Sequence, residues 1–257
     1  MKKEKIVCII PARFDSERLP GKVLYPINGK SVLERVYNQA KVIKEFSDIY
    51  IATDNKKVAS EANRIGVETI WTSKDCRSGS DRVAEAAEKL DASIIVNIQA
   101  DEPFLPCEAI IGSIKMLKDN PDIGVTTAAT RIRKDEELFD SNTVKIVIDK
   151  NGDTLYSSRS LIPYPTVYYS QNDPLQLKKV VFYKHIGIYV FRKSFLDKYS
   201  KLPTGMLEEI EKLEHLRIIE NGYKLKVAII EKDSPCVDTF EDIKKLQQDI
   251  DSITVDD

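Results

Sequence analysis

Three basic side chains follow the first apolar segment of the chain within ten residues. The loop contains three cations and two small residues, Arg13, Arg18, Lys22, Ser16 and Gly21. Arginine offers a planar fork of donors to phosphate oxygens, and lysine offers a compact point charge. Glycine lets the backbone approach a ligand closely. The loop therefore predicts a polyphosphate site, although a cluster of this kind taken alone is more often a solvated charged loop.

Two aspartates follow apolar segments farther along the chain. Asp101 follows the segment Ser93 to Gln99, and Asp238 follows the segment Lys224 to Ile230. Carboxylates are ligands that Mg²⁺ prefers, and attack on a triphosphate needs its negative charge offset. The pair therefore predicts a magnesium site. For Asp238, which precedes Thr239 and a predicted helix, N-capping is the alternative role.

The balance of charge limits the possible partners. The 257 residues include 39 Lys and Arg against 41 Asp and Glu, which leaves a formal net charge of −2. Because bulk positive charge is lacking, we expect no nucleic-acid partner and a polyanion held by a few local cations. With only two histidines, a metal centre of several histidines is excluded, and oxygen ligands for magnesium or manganese are expected.

The composition also indicates a compartment. No apolar run reaches the ~18 residues of a membrane span, and Met1 to Lys5 leads into a short strand rather than a signal-peptide core. The four cysteines are scattered and form no CxxC pair: Cys8, Cys76, Cys107 and Cys236. This usage is typical of thiols in a reducing compartment. We therefore expect a cytoplasmic protein without membrane insertion.

Alternating patterns in the first hundred residues predict repeated βα units around a mostly parallel sheet. The predicted strands are 5–10, 48–52 and 93–99, and the predicted helices are 31–43, 55–65 and 81–90. The continuous apolar segment 93–99 is typical of a strand buried on both faces. Since ligands bind at the carboxyl ends of parallel strands, the basic loop and Asp101 are expected to meet at one edge of the sheet.

The pattern becomes rich in β-branched residues beyond Pro121. Strands are predicted over 124–130, 143–149 and 180–191, with a hairpin turn over 149–153 between the last two and a mobile loop over 161–174. A helix over 206–220, a strand over 224–230 and a closing helix over 240–250 follow. Without repeats or linkers, the chain is predicted to be one α/β domain over residues 1–257 with a β-rich inserted region.

The order of residues from Pro11 to Lys22, Pro-x-Arg-x-x-Ser-x-Arg-Leu-Pro-Gly-Lys, resembles the signature of the 3-deoxy-manno-octulosonate (Kdo) cytidylyltransferases, or CMP-Kdo synthetases. Further blocks follow in that family's order: Ala52 to Asp54, Ser78 to Arg82, Asn97 to Pro103, Tyr156 to Arg159, Ile162 to Pro163, His185 to Tyr189, Leu213 to Arg217 and Val237 to Thr239. Cys76 and Ala100 depart from the family, which often has His and usually has Gly there. The resemblance implies a Rossmann-like, glycosyltransferase-A-type nucleotidyltransferase fold.

The resemblance also implies an activity. The chain would transfer CMP from CTP to Kdo, an acidic 3-deoxy sugar, and release pyrophosphate. The product would serve lipopolysaccharide biosynthesis, and family members are usually homodimers. Asp101 and Asp238 would hold the Mg²⁺ cofactor against the triphosphate.

Individual site residues follow from the same resemblance. Nucleotide contacts are implied for Ala12, Arg13, Ser16, Arg18, Lys22, Arg77, Ser78, Gly79 and Arg82, with catalytic roles for Arg13, Lys22 and Asp101. Sugar contacts are implied for Gln99, Arg159, His185, Tyr189 and Glu214, and a region around 150–220 would bind the sugar and form the dimer interface.

Some of these residues have an ordinary structural alternative. His185 in an apolar strand is more often a buried core histidine, and Tyr189 a core or interface aromatic. Of Glu208, Glu211 and Glu214, which are spaced by three, at least one is expected to be solvated helix surface. Glu214 is preferred over Glu211 as the sugar contact.

Two other functions remain open at this point. One is a cytidylyltransferase for another acidic sugar, such as an 8-amino-Kdo analogue or a sialic-type acid. The other is a non-catalytic, nucleotide-binding regulator, against which the presence of Lys22, Asp101 and Asp238 argues. No residue is indicated as a separate general base, and metal activation of the hydroxyl would suffice.

Overall fold

Parallel βα units form the first half of the chain, as predicted. The structure, a computed structural model, describes residues 4–16, 18–166 and 180–249. The elements of this half are β1 (Ile6–Pro11), a 3-10 helix (Lys22–Leu24), β2 (Pro26–Ile27), β3 (Lys30–Ser31), α1 (Val32–Lys41), β4 (Asp48–Thr53), α2 (Lys56–Arg64), β5 (Glu68–Trp71), α3 (Gly79–Ala87), β6 (Ile94–Ile98) and α4 (Cys107–Asp119). The short edge strand β5 and the helix α4 were not predicted.

The second half contains the remaining strands and several short helices. They are β7 (Val125–Arg131), α5 (Asp135–Phe139), β8 (Lys145–Ile148), β9 (Thr154–Ser158), β10 (Tyr183–Arg192), α6 (Lys193–Tyr199), α7 (Met206–Glu211), α8 (Leu216–Glu220), β11 (Lys226–Ile230) and α9 (Phe240–Asp249). The predicted turn over 149–153 joins β8 to β9, a strand that was not predicted. Of the loop predicted over 161–174, residues 161–166 have no regular structure, and the rest lies outside the described residues.

The prediction of one helix over 206–220 is wrong. The chain leaves α7 at Lys212, which adopts a left-handed conformation with φ 55°. This break folds α8 back, so that Arg217 donates to both carboxylate oxygens of Glu208, at 2.7 and 2.6 Å. Arg217 also pairs with Asp81 of α3 at 2.7 Å and is 3% exposed. A buried ion network therefore replaces the straight helix.

The central sheet has the strand order β11-β7-β10-β6-β1-β4-β5, with β8 paired to β10 and β9 paired to β8. Strand β10 is antiparallel to both of its neighbours, and the other strands of this order share one direction. Alternate residues of β1 point to opposite faces, as in any strand. One face packs against α1, α2 and α4, and the other against α3, α6 and α8. Among the described helices, none has the length and apolarity needed to cross a bilayer.

Local capping explains where the first helix begins. Ser31 precedes α1, and its hydroxyl accepts the backbone N–H of Glu34 at 3.0 Å. Such a bond satisfies one of the N–H groups that have no partner within the first helical turn. Leu33, Val36 and Ala40 then recur at helical spacing and are fully buried against the sheet. Helix α1 therefore fixes the chain that follows the basic loop.

Candidate active site

The candidate side chains lie at one edge of the sheet. Strands β1, β4 and β6 run parallel and end at this edge. In β10, Ile188 lies opposite Ile98, so residues 183–187 extend past the end of β6 at the same edge. Strand β11, parallel to β7, also ends there and leads into the loop with Asp238. Ligands bind at this edge in open α/β sheets.

Lys22 joins the two aspartates that were predicted as metal ligands. Its ammonium Nζ donates to Asp101 Oδ2 at 2.6 Å, to Asp238 Oδ1 at 3.0 Å and to the carbonyl oxygen of Val237 at 2.9 Å. Arg18 Nη2 lies 2.8 Å from Asp238 Oδ1. Four residues from three distant segments therefore form one ionic cluster. Since Lys22 already has three acceptors, contact with a phosphate requires it to leave one of them.

The cluster holds Lys22 and Asp238 in their charged forms. Burial alone would lower the pKa of Lys22, but the two carboxylates outweigh burial and raise this pKa above its ordinary value. Burial alone would raise the pKa of Asp238, but Lys22 and Arg18 outweigh it and lower this pKa. Lys22 is therefore a cation and Asp238 an anion at neutral pH.

A glycine turn aims Lys22 at the aspartates. Gly21 has φ 71°, a region that glycine adopts without steric cost. A β-carbon at residue 21 would lie 2.9 Å from the ring of Phe14, so the turn also requires a residue without a side chain. On the same loop Arg13 is exposed and Ser16 is half-buried. Within the described residues, neither of these two side chains pairs with Asp101 or Asp238.

The N-capping role considered for Asp238 belongs to its neighbour. The hydroxyl of Thr239 accepts the backbone N–H of Asp242 at 3.2 Å, and the Asp242 carboxylate accepts the N–H of Thr239 at 2.7 Å. This reciprocal pair is a capping box at the start of α9. The Asp238 carboxylate is thereby left to the cation cluster.

The start of α3 forms a second part of the edge. The helix begins at Gly79, two residues before the predicted start, and Ser78 caps it by accepting the N–H of Asp81 at 3.1 Å. A β-carbon at residue 79 would lie 2.9 Å from Gln99 Oε1, so glycine permits this approach. Ala12, at the end of β1, is buried, and its N–H donates to Ala52. The structure thus brings Gly79 and Gln99 together.

The two arginines beside this helix differ in position. Arg82 is 4% exposed, and its guanidinium contacts Thr72 Oγ1 at 2.5 Å and Asp54 Oδ1 at 3.2 Å. These contacts connect α3 to the ends of β4 and β5, and the nucleotide contact of Arg82 stays a prediction. Arg77 is exposed, and its Nη1 donates to Thr204 Oγ1 at 3.0 Å.

Glu214 lies at the N-terminus of α3. Its carboxylate accepts the N–H and the hydroxyl of Ser80, both at 2.9 Å, and the Gln99 amide at 3.2 Å. Burial raises the pKa of Glu214, and the bonds from Ser80 oppose that rise. Asn97 also donates to the Ser80 hydroxyl, at 3.0 Å. Asn97 was not predicted as a site residue, although a polar residue inside an apolar strand can indicate one.

The other two glutamates of the series are also bonded within the protein. Glu208 is buried and forms an ion pair with Arg217. Glu211 accepts hydrogen bonds from the hydroxyl of Ser158 and from the N–H of Arg159. The expectation that at least one of the three is only solvated surface is therefore wrong. Arg159 Nε in turn donates to the carbonyl oxygen of Glu211 at 2.9 Å. The preference for Glu214 at the sugar stays a prediction.

The two histidines lie next to each other. Their ring centroids are 4.6 Å apart, His185 Nε2 contacts Thr127 Oγ1 at 2.8 Å, and His215 Nδ1 contacts the Tyr189 hydroxyl at 2.9 Å. Burial, with a smaller effect of His215, lowers the pKa of His185 well below its ordinary value. Burial lowers the pKa of His215 to about 4. Both rings are therefore neutral at pH 7.

A family model described as cytidylyltransferase matches residues 7–248 of the chain. A 3-deoxy-manno-octulosonate cytidylyltransferase of Desulfosudis oleivorans is 40% identical over 255 residues, which cover 98% of this chain and 100% of that protein. An 8-amino-3,8-dideoxy-manno-octulosonate cytidylyltransferase of Shewanella halifaxensis is 39% identical, over 93% of this chain and 96% of that protein.

A solved structure shares the fold. It is a CMP:2-keto-3-deoxy-manno-octonic acid synthetase in complex with CTP, with a TM-score of 0.86 and 34% identity over 97% of this chain and 100% of that chain. The predicted fold class, α/β and Rossmann-like with a mostly parallel sheet, is thereby confirmed.

The neutral state of His215 predicts how stability depends on pH. Its pKa is about 4 in the folded protein and about 6.5 in an unfolded chain, so between these values the unfolded state binds the additional proton. The free energy of unfolding should therefore fall as pH drops from 6.5 to 4, by about 3 kcal/mol from this residue. Urea denaturation of the wild type and of His215→Gln across this range isolates the contribution, because the two proteins share every carboxylate. Equal pH dependence in both would contradict the assignment.

Proposed function

The chain belongs to the 3-deoxy-manno-octulosonate cytidylyltransferase family, and from this premise we propose that it transfers CMP from CTP to Kdo. The anomeric hydroxyl oxygen of the sugar attacks the α-phosphorus, and the bond from that phosphorus to the β-phosphate oxygen breaks. CMP-Kdo and pyrophosphate result, and the hydroxyl proton passes to solvent. On the family resemblance we place the product in lipopolysaccharide biosynthesis.

The observation that carries this proposal is the ionic cluster at the ligand-binding edge. Lys22 and Arg18 supply cations there, and Asp101 and Asp238 supply carboxylates, within a chain 40% identical to a named cytidylyltransferase. Arg13 is exposed beside them. Phosphate groups need such cations, because attack on a negatively charged triphosphate is otherwise repelled.

We propose that some of the remaining predicted residues bind the nucleotide and that the others bind the sugar. Ala12, Arg77, Ser78, Gly79 and Arg82 would meet the nucleotide at the ends of β1 and β4, where the start of α3 lies, and Ser16 would meet its phosphates. Gln99, Arg159, His185, Tyr189 and Glu214 would meet the sugar. In support, neutral imidazoles and the Glu214 carboxylate can accept hydrogen bonds from hydroxyl groups.

We propose Mg²⁺ as the cofactor. Asp101 Oδ2 and Asp238 Oδ1 both lie within 3.0 Å of one ammonium nitrogen, so the two carboxylates already converge on a cation. In the described ranges, no group of three or more His, Cys, Asp or Glu side chains is placed to hold a metal. One or two carboxylates, with water and phosphate oxygens, are a usual magnesium ligand set. When bound, the metal would offset phosphate charge and lower the pKa of the attacking hydroxyl.

A second substrate is supported by one comparison. The relative named for an 8-amino-3,8-dideoxy sugar is 39% identical, almost the same as the 40% of the relative named for Kdo. We therefore keep the amino sugar as the alternative acceptor in the same reaction.

Pyrophosphate release should identify both substrates. Purified protein with Mg²⁺ should release pyrophosphate from CTP and Kdo, and much less from the other three nucleoside triphosphates. The same assay with the 8-amino sugar and with a sialic acid compares the acceptors by kcat/KM. Activity with UTP or GTP but not CTP would exclude cytidylyl transfer. Release with no acidic sugar at all would favour the nucleotide-binding regulator.

Loss of either aspartate should remove turnover without unfolding the protein. Asp101→Asn and Asp238→Asn should lower kcat by on the order of a hundredfold or more, because charge at the phosphates is no longer offset. Circular dichroism should show the wild-type fold. Asp119→Asn is the matched control, since Asp119 is an exposed partner of Lys115. Near-normal rates of both variants at saturating Mg²⁺ would refute the metal assignment.

We also propose a homodimer that works in the cytoplasm. The free thiols of Cys8, Cys76 and Cys236 agree with a reducing compartment. Within the region around 150–220, Met206 and Ile210 of α7 are 67% and 70% exposed, and α7 adjoins β9 through the bond between Glu211 and Ser158. Met206 and Ile210 are four residues apart on α7 and so are neighbours on its surface, and contiguous exposed apolar patches mark interaction sites.

Light scattering tests the assembly. The wild type should have twice the mass of one chain, and Ile210→Asp should shift the equilibrium toward the monomer, because it would bury an unpaired charge in the contact. Ile229→Asp, a change at a 44% exposed residue outside the region, serves as the control. A monomeric wild type at micromolar concentration would refute the dimer.

A further inference from the structure

A buried carboxylate with no part in the proposed chemistry lies directly beside Asp101. Glu102 is 6% exposed. Its Oε1 accepts the backbone N–H of Gly187, and its Oε2 accepts the hydroxyl of Ser234 at 2.5 Å. Burial of a carboxylate is costly unless it is hydrogen-bonded. Since both oxygens are bonded within the protein, Glu102 joins parts of the chain rather than meeting a ligand.

One of these bonds fixes an irregularity in β10. The pairing of β10 with β7 shifts between Ile186 and Tyr189, which places Gly187 within a bulge. Bulges change the direction of neighbouring side chains and occur often next to active sites. His185 and Tyr189 lie two residues to either side of Gly187. A β-carbon at residue 187 would overlap the Glu102 carboxylate, so this contact requires glycine.

The same bulge also fixes Gln99. The backbone N–H of Gln99 donates to the carbonyl oxygen of Gly187 at 3.1 Å, and the N–H of Glu102 donates to that of Gln99 at 3.3 Å. The N–H and C=O of Gly187 thus bond to either end of the segment 99–102. Three predicted sugar contacts, Gln99, His185 and Tyr189, therefore depend on one backbone arrangement that Glu102 holds.

The other bond fixes the loop with Asp238. Ser234 lies four residues before Asp238 in the loop that follows β11. A second link, from the N–H of Val237 to the carbonyl oxygen of Asp101 at 2.8 Å, joins the same two segments. Besides the contacts of Lys22 with both aspartates, the distance between Asp101 and Asp238 thus depends on a pair of bonds, one of which Glu102 makes.

We propose that Glu102 is a positioning residue that holds the sugar-binding strand β10 and the Asp238 loop in register with Asp101. The proposal rests on the function proposed above for this site. Both carboxyl oxygens of Glu102 take part, since one accepts from a backbone N–H and the other from a hydroxyl. Leucine at this position loses both bonds, whereas glutamine can keep both, because its amide oxygen accepts the Gly187 N–H and its NH₂ group donates to the Ser234 hydroxyl.

Two variants separate the two connections. Ser234→Ala removes the bond to the Asp238 loop and leaves the bond to Gly187. It should weaken Mn²⁺ binding about tenfold, as changes behind a metal ligand commonly do, and leave the KM for Kdo unchanged. Glu102→Leu should weaken Mn²⁺ binding and raise the KM for Kdo, each by a similar factor, and Glu102→Gln should keep both quantities near their wild-type values. Ser200 is an exposed serine whose hydroxyl donates to the carbonyl oxygen of Asp197. As the matched control, Ser200→Ala should change neither quantity.

Mn²⁺ binding is measured by electron paramagnetic resonance on the protein with CTP and without sugar, so it does not depend on turnover. A Ser234→Ala protein with wild-type Mn²⁺ affinity would overturn the proposal, as would equal losses in both quantities for Ser234→Ala. If Glu102→Leu does not fold, Ser234→Ala decides alone, because Glu102 remains in place. If no acidic sugar is a substrate, the Mn²⁺ measurement still tests the Asp238 connection, and the two failures are therefore distinguishable.

Discussion

A single ammonium group between two carboxylates organises the ligand-binding edge of this protein. Lys22 comes from the loop after β1, Asp101 from the loop after β6, and Asp238 from the loop after β11. Two carboxylates that both lie within 3.0 Å of one nitrogen would repel each other if that nitrogen carried no positive charge. The ion cluster therefore fixes three loops relative to one another, and the turn at Gly21 is the local condition for it.

Three buried or half-buried ionisable side chains outside this cluster are each bonded to a segment distant in sequence. Glu102 bonds to β10 and to the loop after β11, Glu214 bonds to the start of α3, and Arg217 bonds to Glu208 and Asp81. Because an unpaired buried charge is costly, these bonds tie the positions of the segments to one another. Polar contacts thus hold these segments in position at the site, where apolar packing does not.

The sequence was sufficient for the features that depend on local pattern and strand direction. The parallel strands β1, β4 and β6, the basic loop and the meeting of Lys22 with Asp101 all follow from apolar runs and from the shared edge of parallel strands. Features that depend on distant partners were missed. The break between α7 and α8 is stabilised by the pair of Glu208 and Arg217, and the burial of Arg82 is stabilised by Asp54 and Thr72. No periodicity in the chain contains that information.

The position of β10 has a consequence for folding. Strands β5, β4, β1 and β6 come from the first hundred residues, yet the neighbour of β6 on its other side is residues 183–192. During synthesis, β6 therefore presents an open edge with unpaired backbone groups until β10 emerges, and such edges promote wrong pairing between chains. The pairing is also long-range, which slows folding. Since Asp238 comes later still, the ion cluster forms only after residue 238 has been made, so on the proposed function a nascent fragment that ends before Asp238 is inactive.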